Sequence, residues 1–272
     1  MKLAQDAESG VLDAVRRAGL DTVEGAFAYG GGTDLAKPGL GCRQRTFLKL
    51  EDSQGRTHRL YLKRYGREPL LTRLKRWATH GWGAGPAGVE FANVLAARAA
   101  GLPTMQGVAC GEEPGFLGPA RGCVILTAVP GDALSRTMEG FLRRHSHDDA
   151  AERLTLQLAK LVGAMHGSGY VHRDLYASHV FLDESQGDAA LYLIDLARMF
   201  RPRWRRFRWL VKDLAQLKYS MPDAWNERWW ETFLAAYLGG RSGRAFATFS
   251  RAVEGKAGRI RRRETGRRKS RG

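Results

Sequence analysis

The run Gly169-Tyr170-Val171-His172-Arg173-Asp174-Leu175-Tyr176-Ala177-Ser178-His179-Val180-Phe181-Leu182, with Leu193-Ile194-Asp195-Leu196 close behind, constrains this chain more than any other stretch. Upstream of it, Leu154, Leu158, Leu161 and Met165 recur at spacings of four, three and four, which is one face of a helix. Gly167 and Gly169 end that helix. Val180-Phe181-Leu182 reads as a short strand, residues 183–188 as a turn, and Leu191-Tyr192-Leu193-Ile194 as a second strand that delivers Asp195 at its end. Two carboxylates, Asp174 and Asp195, are thereby carried on neighbouring rigid elements. One such group can accept a hydroxyl proton while the other holds a divalent cation. Each residue also has a plainer reading: Asp174 as an ion-paired or capping carboxylate, Asp195 as a turn former, His179 as a hydrogen-bonded core histidine. Joint spacing and order favour the chemical reading.

A lone His-Arg-Asp is weak evidence in a basic chain. With the flanking elements, the run resembles the catalytic loop and metal-binding aspartate of a kinase. Asp174 matches the residue that accepts the acceptor's proton, and Asp195 the carboxylate that holds Mg²⁺ against ATP phosphates. His179 lies five residues after Asp174, where protein kinases carry a metal-binding Asn, so the chain departs from an ordinary protein kinase.

A kinase also requires a phosphate-gripping lysine with a carboxylate partner. Residues 46–51 and 59–65 read as strands joined by a hairpin turn. In the second, Leu60, Leu62 and Arg64 face one way and Tyr61, Lys63 and Tyr65 the other, which makes Lys63 the candidate. Glu90, in a helix entered at Pro86 and closed by Gly101-Leu102-Pro103, is the only acidic residue between Glu68 and Glu112, and is the candidate partner. Gly30-Gly31-Gly32 and Gly39-Leu40-Gly41 precede the hairpin where a phosphate-covering loop belongs, yet neither has the full protein-kinase glycine pattern. Val124-Ile125-Leu126-Thr127-Ala128-Val129 reads as a buried strand broken at Pro130-Gly131. In a kinase this is the hinge, and Thr127, Val129 and Asp132 become candidate nucleotide contacts; a turn-forming role for Asp132 fits equally.

Beyond Asp195 the chain is strongly basic. Arg198, Arg201, Arg203, Arg205, Arg206, Arg208 and Lys212 fall within fifteen residues, interleaved with Phe200, Trp204, Phe207 and Trp209. A helix is expected from Asp213 and another over 226–238. The span from Asp195 to Asp213 is short for a peptide-binding activation segment, and it has no Ala-Pro-Glu element. From Lys256 to Gly272 there are nine basic residues and one acid, Glu264, a composition expected to be disordered unless bound to an anion. A net charge of +16 implies anionic partners. Three widely spaced cysteines, Cys42, Cys110 and Cys123, form no redox or metal motif and fit a reducing compartment. No stretch resembles a signal peptide or a membrane span.

His172-Arg173-Asp174-x-Tyr176-x-x-His179-x-x-Leu182, Leu193-Ile194-Asp195-Leu196-x-Arg198 and Trp209-x-x-Lys212-Asp213-Leu214-Ala215-x-Leu217-x-x-Ser220 together resemble the lipopolysaccharide core kinases of the Kdo/WaaP type. The resemblance covers about residues 40 to 240. It implies an α+β, two-lobed protein-kinase-like fold: a nucleotide lobe over 1–128 with an extension over 1–24, a helical catalytic lobe over 129–240, and a basic tail over 241–272. It implies ATP and Mg²⁺ as cofactors and phosphorylation of a heptose or Kdo hydroxyl in the lipopolysaccharide inner core. The enzyme would be cytoplasmic and peripheral to the inner membrane. The implied roles are catalytic for Asp174, Arg173, Lys63 and Glu90, metal-binding for Asp195 and His179, and structural for His172 and Asp213. Arg198, Arg203, Arg205 and Arg206 are expected to meet the anionic glycolipid or core oligosaccharide, and the tail an anionic membrane surface. An atypical protein kinase is the nearest alternative. A non-catalytic binder of anionic lipid or nucleic acid is the alternative of another class, disfavoured by the intact Lys63, Asp174 and Asp195.

Overall fold

A computed structural model describes residues 1–35, 43–116, 118–187, 189–240 and 243–269. The chain divides into two compact units, 1–99 with 104–129, and 100–103 with 130–272.

The first unit contains β1 (Lys2–Leu3), α1 (Ser9–Arg17), α2 (Val23–Ala28), β2 (Thr33–Asp34), β3 (Arg43–Glu51), β4 (Thr57–Tyr65), α3 (Leu70–His80), α4 (Pro86–Ala99), β5 (Gly107–Glu113) and β6 (Arg121–Thr127). Its six strands form one sheet in the order β1-β5-β6-β4-β3-β2, every neighbouring pair antiparallel. The β3–β4 hairpin closes on Asp52, whose Oδ1 accepts from the backbone N–H of Gln54 (2.9 Å) and Arg56 (3.0 Å). Gly55, at φ 74°, makes the left-handed step in that turn. Alternation then sorts the faces. Leu48, Leu50, Leu60 and Leu62 enter a core with Val11, Val15 and Leu20 of the N-terminal segment. Arg64 shares that face but is fully engaged: it donates to Thr46 Oγ1 at 2.8 Å and to the carbonyls of Ala26 and Tyr29, both at 2.6 Å. The extension over 1–24 is thus part of the unit's core. Cys110 and Cys123 are buried and free, and burial pushes their thiols up to about 12 and about 11.

The second unit contains β7 (Asp132–Ala133), α5 (Leu134–Arg144), α6 (Ala150–Gly167), β8 (Val180–Asp183), β9 (Ala190–Leu193), α7 (Arg206–Ser220), α8 (Asp223–Tyr237) and α9 (Arg244–Lys269). Strands β7, β8 and β9 form a three-stranded antiparallel sheet. The helical face expected from sequence, Leu154, Leu158, Leu161 and Met165, is buried. Gly131 has φ 77°, and a Cβ there would strike the backbone of Leu182, so β7 can lie on β8 only with glycine at the turn. Trp225 is wholly buried, and its indole N–H donates to Thr155 Oγ1 at 3.1 Å, linking α8 to α6.

Two expectations are corrected. The segment 241–272, read as a disordered tail, carries helix α9, with Phe249, Val253 and Ala257 buried. Those three recur at spacings of four, giving one apolar stripe on an otherwise basic helix, and burial of that stripe outweighs composition. Helix α7 starts at Arg206 rather than Asp213. Of the glycine runs, Gly30-Gly31-Gly32 leads into β2, while Gly39-Leu40-Gly41 lies outside the described residues.

Candidate active site

In the first unit, Lys63 on β4 and Glu90 on α4 form a buried ion pair. Glu90 has no exposed surface. Its other oxygen accepts from the Tyr65 hydroxyl. Residues two apart on a strand share a face, so Lys63 and Tyr65 reach the same carboxylate. Helix α4 is anchored at its start by Glu112 Oε1, which accepts from the Gly88 N–H at 2.9 Å. Thr127, at the end of β6, has its hydroxyl oxygen accepting from the Gln106 N–H at 2.8 Å. Val129 is the last residue of this unit.

In the second unit, Asp174 and Asp195 are carried as expected: Asp174 on the loop after α6, Asp195 two residues beyond β9. Arg173 and Asp195 both adopt left-handed backbone, at φ 70° and 58°. Non-glycine residues hold that conformation only where surrounding bonds fix it, and such positions cluster at functional sites. The fixing bonds run through His172 and His179. The buried His172 ring donates from Nε2 to the Ile194 carbonyl (3.0 Å), and the Ile194 N–H donates to the His179 carbonyl (3.0 Å). Ile194, the residue next to Asp195, is therefore held at both its N–H and its carbonyl. Nδ1 of His172 is buried with no hydrogen-bond partner among the described residues, and burial lowers the pKa of this ring from its ordinary value.

His179 donates from Nδ1 to the Asp174 carbonyl at 2.7 Å. In the neutral ring this leaves the Nε2 lone pair free of a proton, and Nε2 lies 3.8 Å from Asp195 Oδ2. A histidine whose other nitrogen is tied to a backbone carbonyl is the usual arrangement of a metal-ligating imidazole. No group of three or more His, Cys, Asp or Glu able to hold a metal occurs among the described residues. The Asp195 carboxylate fits Mg²⁺, which takes one or two carboxylates and completes its octahedron with water and substrate phosphates, and the His179 nitrogen beside it is placed to meet the ion through one of those waters or a phosphate oxygen.

Asp174 does not stand alone. Arg198 Nη1 donates to both its oxygens, at 3.0 and 2.8 Å, and Lys212 Nζ lies 3.9 Å from Oδ1. Lys212 also donates to the Arg173 carbonyl, and burial lowers its pKa. The Arg173 guanidinium sits 5.2 Å from the Phe200 ring centroid and 5.5 Å from that of Trp209. Beneath the loop, Asp213 Oδ2 accepts from the His172 N–H at 2.7 Å, with His166 Nε2 at 3.3 Å. Ser220 Oγ, at the end of α7, accepts from the Ala177 N–H at 2.7 Å.

Several expected contacts read differently in the structure. Arg198 pairs with Asp174 itself. Arg206 donates to the His166 carbonyl at the end of α6, so that it braces two helices while its side chain remains exposed. Arg205 is the left-handed residue before α7, and Arg203 is exposed. Asp132 is held by its own neighbours, accepting from the Ala133 N–H at 2.7 Å and Arg136 Nε at 2.8 Å, as a turn-forming aspartate does. Two contacts go beyond the sequence reading: the Tyr65 hydroxyl on Glu90, signalled by its position two residues after Lys63, and the approach of Lys212, read from sequence only as part of the basic run, to Asp174.

The chain matches the lipopolysaccharide kinase (Kdo/WaaP) family across residues 43–237. It is 33% identical over 131 residues to the lipopolysaccharide core heptose(I) kinase WaaP of Pseudomonas aeruginosa, covering 46% of this chain and 48% of that protein, so the alignment spans about half the length of that relative. Among solved structures it is similar to WaaP in complex with acyl carrier protein, with a TM-score of 0.70 and 25% identity over 96% of this chain and 99% of the other. The fold is accordingly protein-kinase-like, with an antiparallel-sheet N-terminal lobe and a helical C-terminal lobe. The family match takes in Lys63, Glu90, both aspartates and the Asp213 brace, and by it this chain belongs to the lipopolysaccharide kinase (Kdo/WaaP) family.

Proposed function

We propose that this protein transfers the γ-phosphoryl group of ATP to a sugar hydroxyl, of a heptose or Kdo, in the lipopolysaccharide inner core. The observation that carries the reading is the coupling of His179 to both aspartates: it bonds the backbone carbonyl of Asp174 and brings its second nitrogen to 3.8 Å from the Asp195 carboxylate. Asp174 orients the acceptor hydroxyl and takes its proton as the oxygen attacks phosphorus. Lys63, held by Glu90, grips the non-transferred phosphates. Asp195 and His179 are the residues that would hold Mg²⁺, which when bound neutralises phosphate charge. Lys212 supports the developing negative charge beside Asp174. Arg198 covers Asp174 until the acceptor arrives, and its guanidinium then turns to a phosphate or carboxylate of the core. Arg203 and Arg205 add to that anionic contact. His172, Arg173 and Asp213 hold the loop. A protein acceptor is disfavoured by His179 and by the short span from Asp195 to Asp213.

The acceptor is membrane-borne, so the enzyme works against an anionic leaflet; no helix of the described residues is long and apolar enough to cross a membrane. A pocket of about 900 Å³ in the second unit, lined by Phe207, Leu210, Leu238 and Phe249 together with Arg206 and Arg244, supports extending to this chain the acyl carrier protein that the structural relative binds.

The test is incubation with ATP and Mg²⁺ against a panel of core oligosaccharides, proteins and nucleic acids. The expected result is a single phosphate gained by a heptose- or Kdo-containing oligosaccharide. Transfer to protein alone would overturn the reading.

A further inference from the structure

Nine large hydrophobic side chains are exposed among the described residues, and five of them fall on α3 and its immediate surroundings: Leu70, Leu71, Leu74, Trp82 and Phe116. Leu71, Trp82 and Phe116 are the most open of the five, at 71, 78 and 84%. Scattered apolar residues need no explanation, but a contiguous group does.

The group is contiguous. At 100° per residue, Trp77, Leu70, Leu74, Ala78 and Leu71 occupy one continuous arc of α3 of about 120°. Only the Trp77 edge of that arc is buried. Trp82 packs against Trp77 with centroids 4.3 Å apart and the rings tilted by 40°. The loop between β5 and β6 is tied to the same helix, because Arg73 Nη2 donates to the Phe116 carbonyl at 3.2 Å. Arg73 lies over the Trp77 ring at 5.5 Å, so the helix, Trp82 and the loop share one support.

Charge selects the occupant. No acidic residue occurs from 69 to 89; Arg73 is buried and Arg76 is paired with Glu68, which leaves Lys75 on the helix and Arg67, three residues before it, as the exposed cations. The flanking acids are already engaged: Glu68 pairs with Arg43 and Arg76, and Glu113 with Arg121 at 2.7 and 2.6 Å. Lys75 lies beside Leu71 at the edge of the arc and is exposed, as is Arg67. A short amphipathic helix with leucines on one face, an adjacent tryptophan and flanking cations suits the headgroup boundary of an anionic bilayer.

We propose that α3, Trp82 and Phe116 form the surface by which this protein docks on an anionic lipid membrane, with Leu71, Trp82 and Phe116 entering the interface. The proposal gives a place to the membrane contact that a lipid-linked acceptor requires. It rests on that reading only for its purpose, since vesicle binding needs neither ATP nor acceptor.

The test is co-sedimentation of the full chain with phosphatidylglycerol-containing vesicles and with pure phosphatidylcholine vesicles, without nucleotide. The wild type is expected to partition onto the anionic vesicles. The triple variant Leu71→Ser, Trp82→Ser, Phe116→Ser is expected to lose that partitioning by about 10-fold or more, with an unchanged melting temperature and unchanged turnover on a soluble oligosaccharide. Brominated acyl chains should quench wild-type fluorescence more than that of Trp82→Phe, which reads the same contact in folded protein. Equal quenching, undiminished vesicle binding by the triple variant, or a variant whose only change is a lower oligomeric mass in light scattering would overturn the proposal. Vesicle binding that fails beside intact phosphotransfer refutes this inference alone. Intact binding without phosphotransfer refutes the function alone.

Discussion

Glu90 is a carboxylate with no exposed surface, and Lys63 is the cation that makes its burial tolerable. Removing one member of a buried pair leaves an uncompensated charge, so Lys63→Met should destabilise the first unit by about 3 kcal/mol or more in denaturant unfolding. Lys63→Met with Glu90→Gln should recover much of that loss while remaining inactive, which separates folding from phosphate binding. His172 carries a pH dependence. Burial lowers its folded pKa below the ordinary value of 6.5, so the folded ring stays neutral where the unfolded one takes a proton. Stability is therefore fully present above about pH 6.5 and is lost as pH falls toward the folded pKa. Melting curves between pH 7.5 and 5.5 should show this decline. His172→Gln, which keeps a donor for the Ile194 carbonyl, should flatten it. His179→Asn should retain part of the Mg²⁺-dependent turnover, whereas His179→Leu should raise the Mg²⁺ concentration needed for half-maximal activity about 10-fold or more.

At the level of elements, the parts readable from sequence are those whose chemistry is local. The β3–β4 hairpin, α4, α6, the β8–β9 pair and α8 all show periodicity or turn residues within a dozen positions. Asp174 and Asp195 were legible because motif and spacing agree. The elements that escaped have signals set by partners distant in sequence. Strands β1 and β2 are two residues each and exist only through pairing with β5 and β3. Helix α9 was hidden because its buried stripe sits among arginines. The bond of Arg206 to the His166 carbonyl has no local signal, because the partner lies forty residues away. Since α9 packs on α7, Phe249→Ala should cost about 3 kcal/mol in stability. Truncation after residue 261, which leaves Phe249, Val253 and Ala257 in place, should leave the melting temperature within a few degrees of wild type. Equal destabilisation by the two changes would show that the terminal turns, rather than the stripe, hold the helix.

Across the whole molecule, charge and catalysis are separable. The chain carries a net charge of +16, and interactions of exposed charges with anionic partners weaken with salt over a Debye length of about 10 Å at 0.1 M. The loop that carries Asp174 is held by buried and part-buried bonds from His172, Asp213 and Ser220, which salt reaches far less. Raising the salt concentration should therefore increase the acceptor KM more than it lowers kcat. The central claim concerns one carboxylate, and single-turnover transfer from ATP to a soluble core oligosaccharide tests it most directly. Asp174→Asn should bind ATP with wild-type affinity, melt at the wild-type temperature, and transfer phosphate about 10²-fold or more slowly. Wild-type transfer by Asp174→Asn would contradict the account.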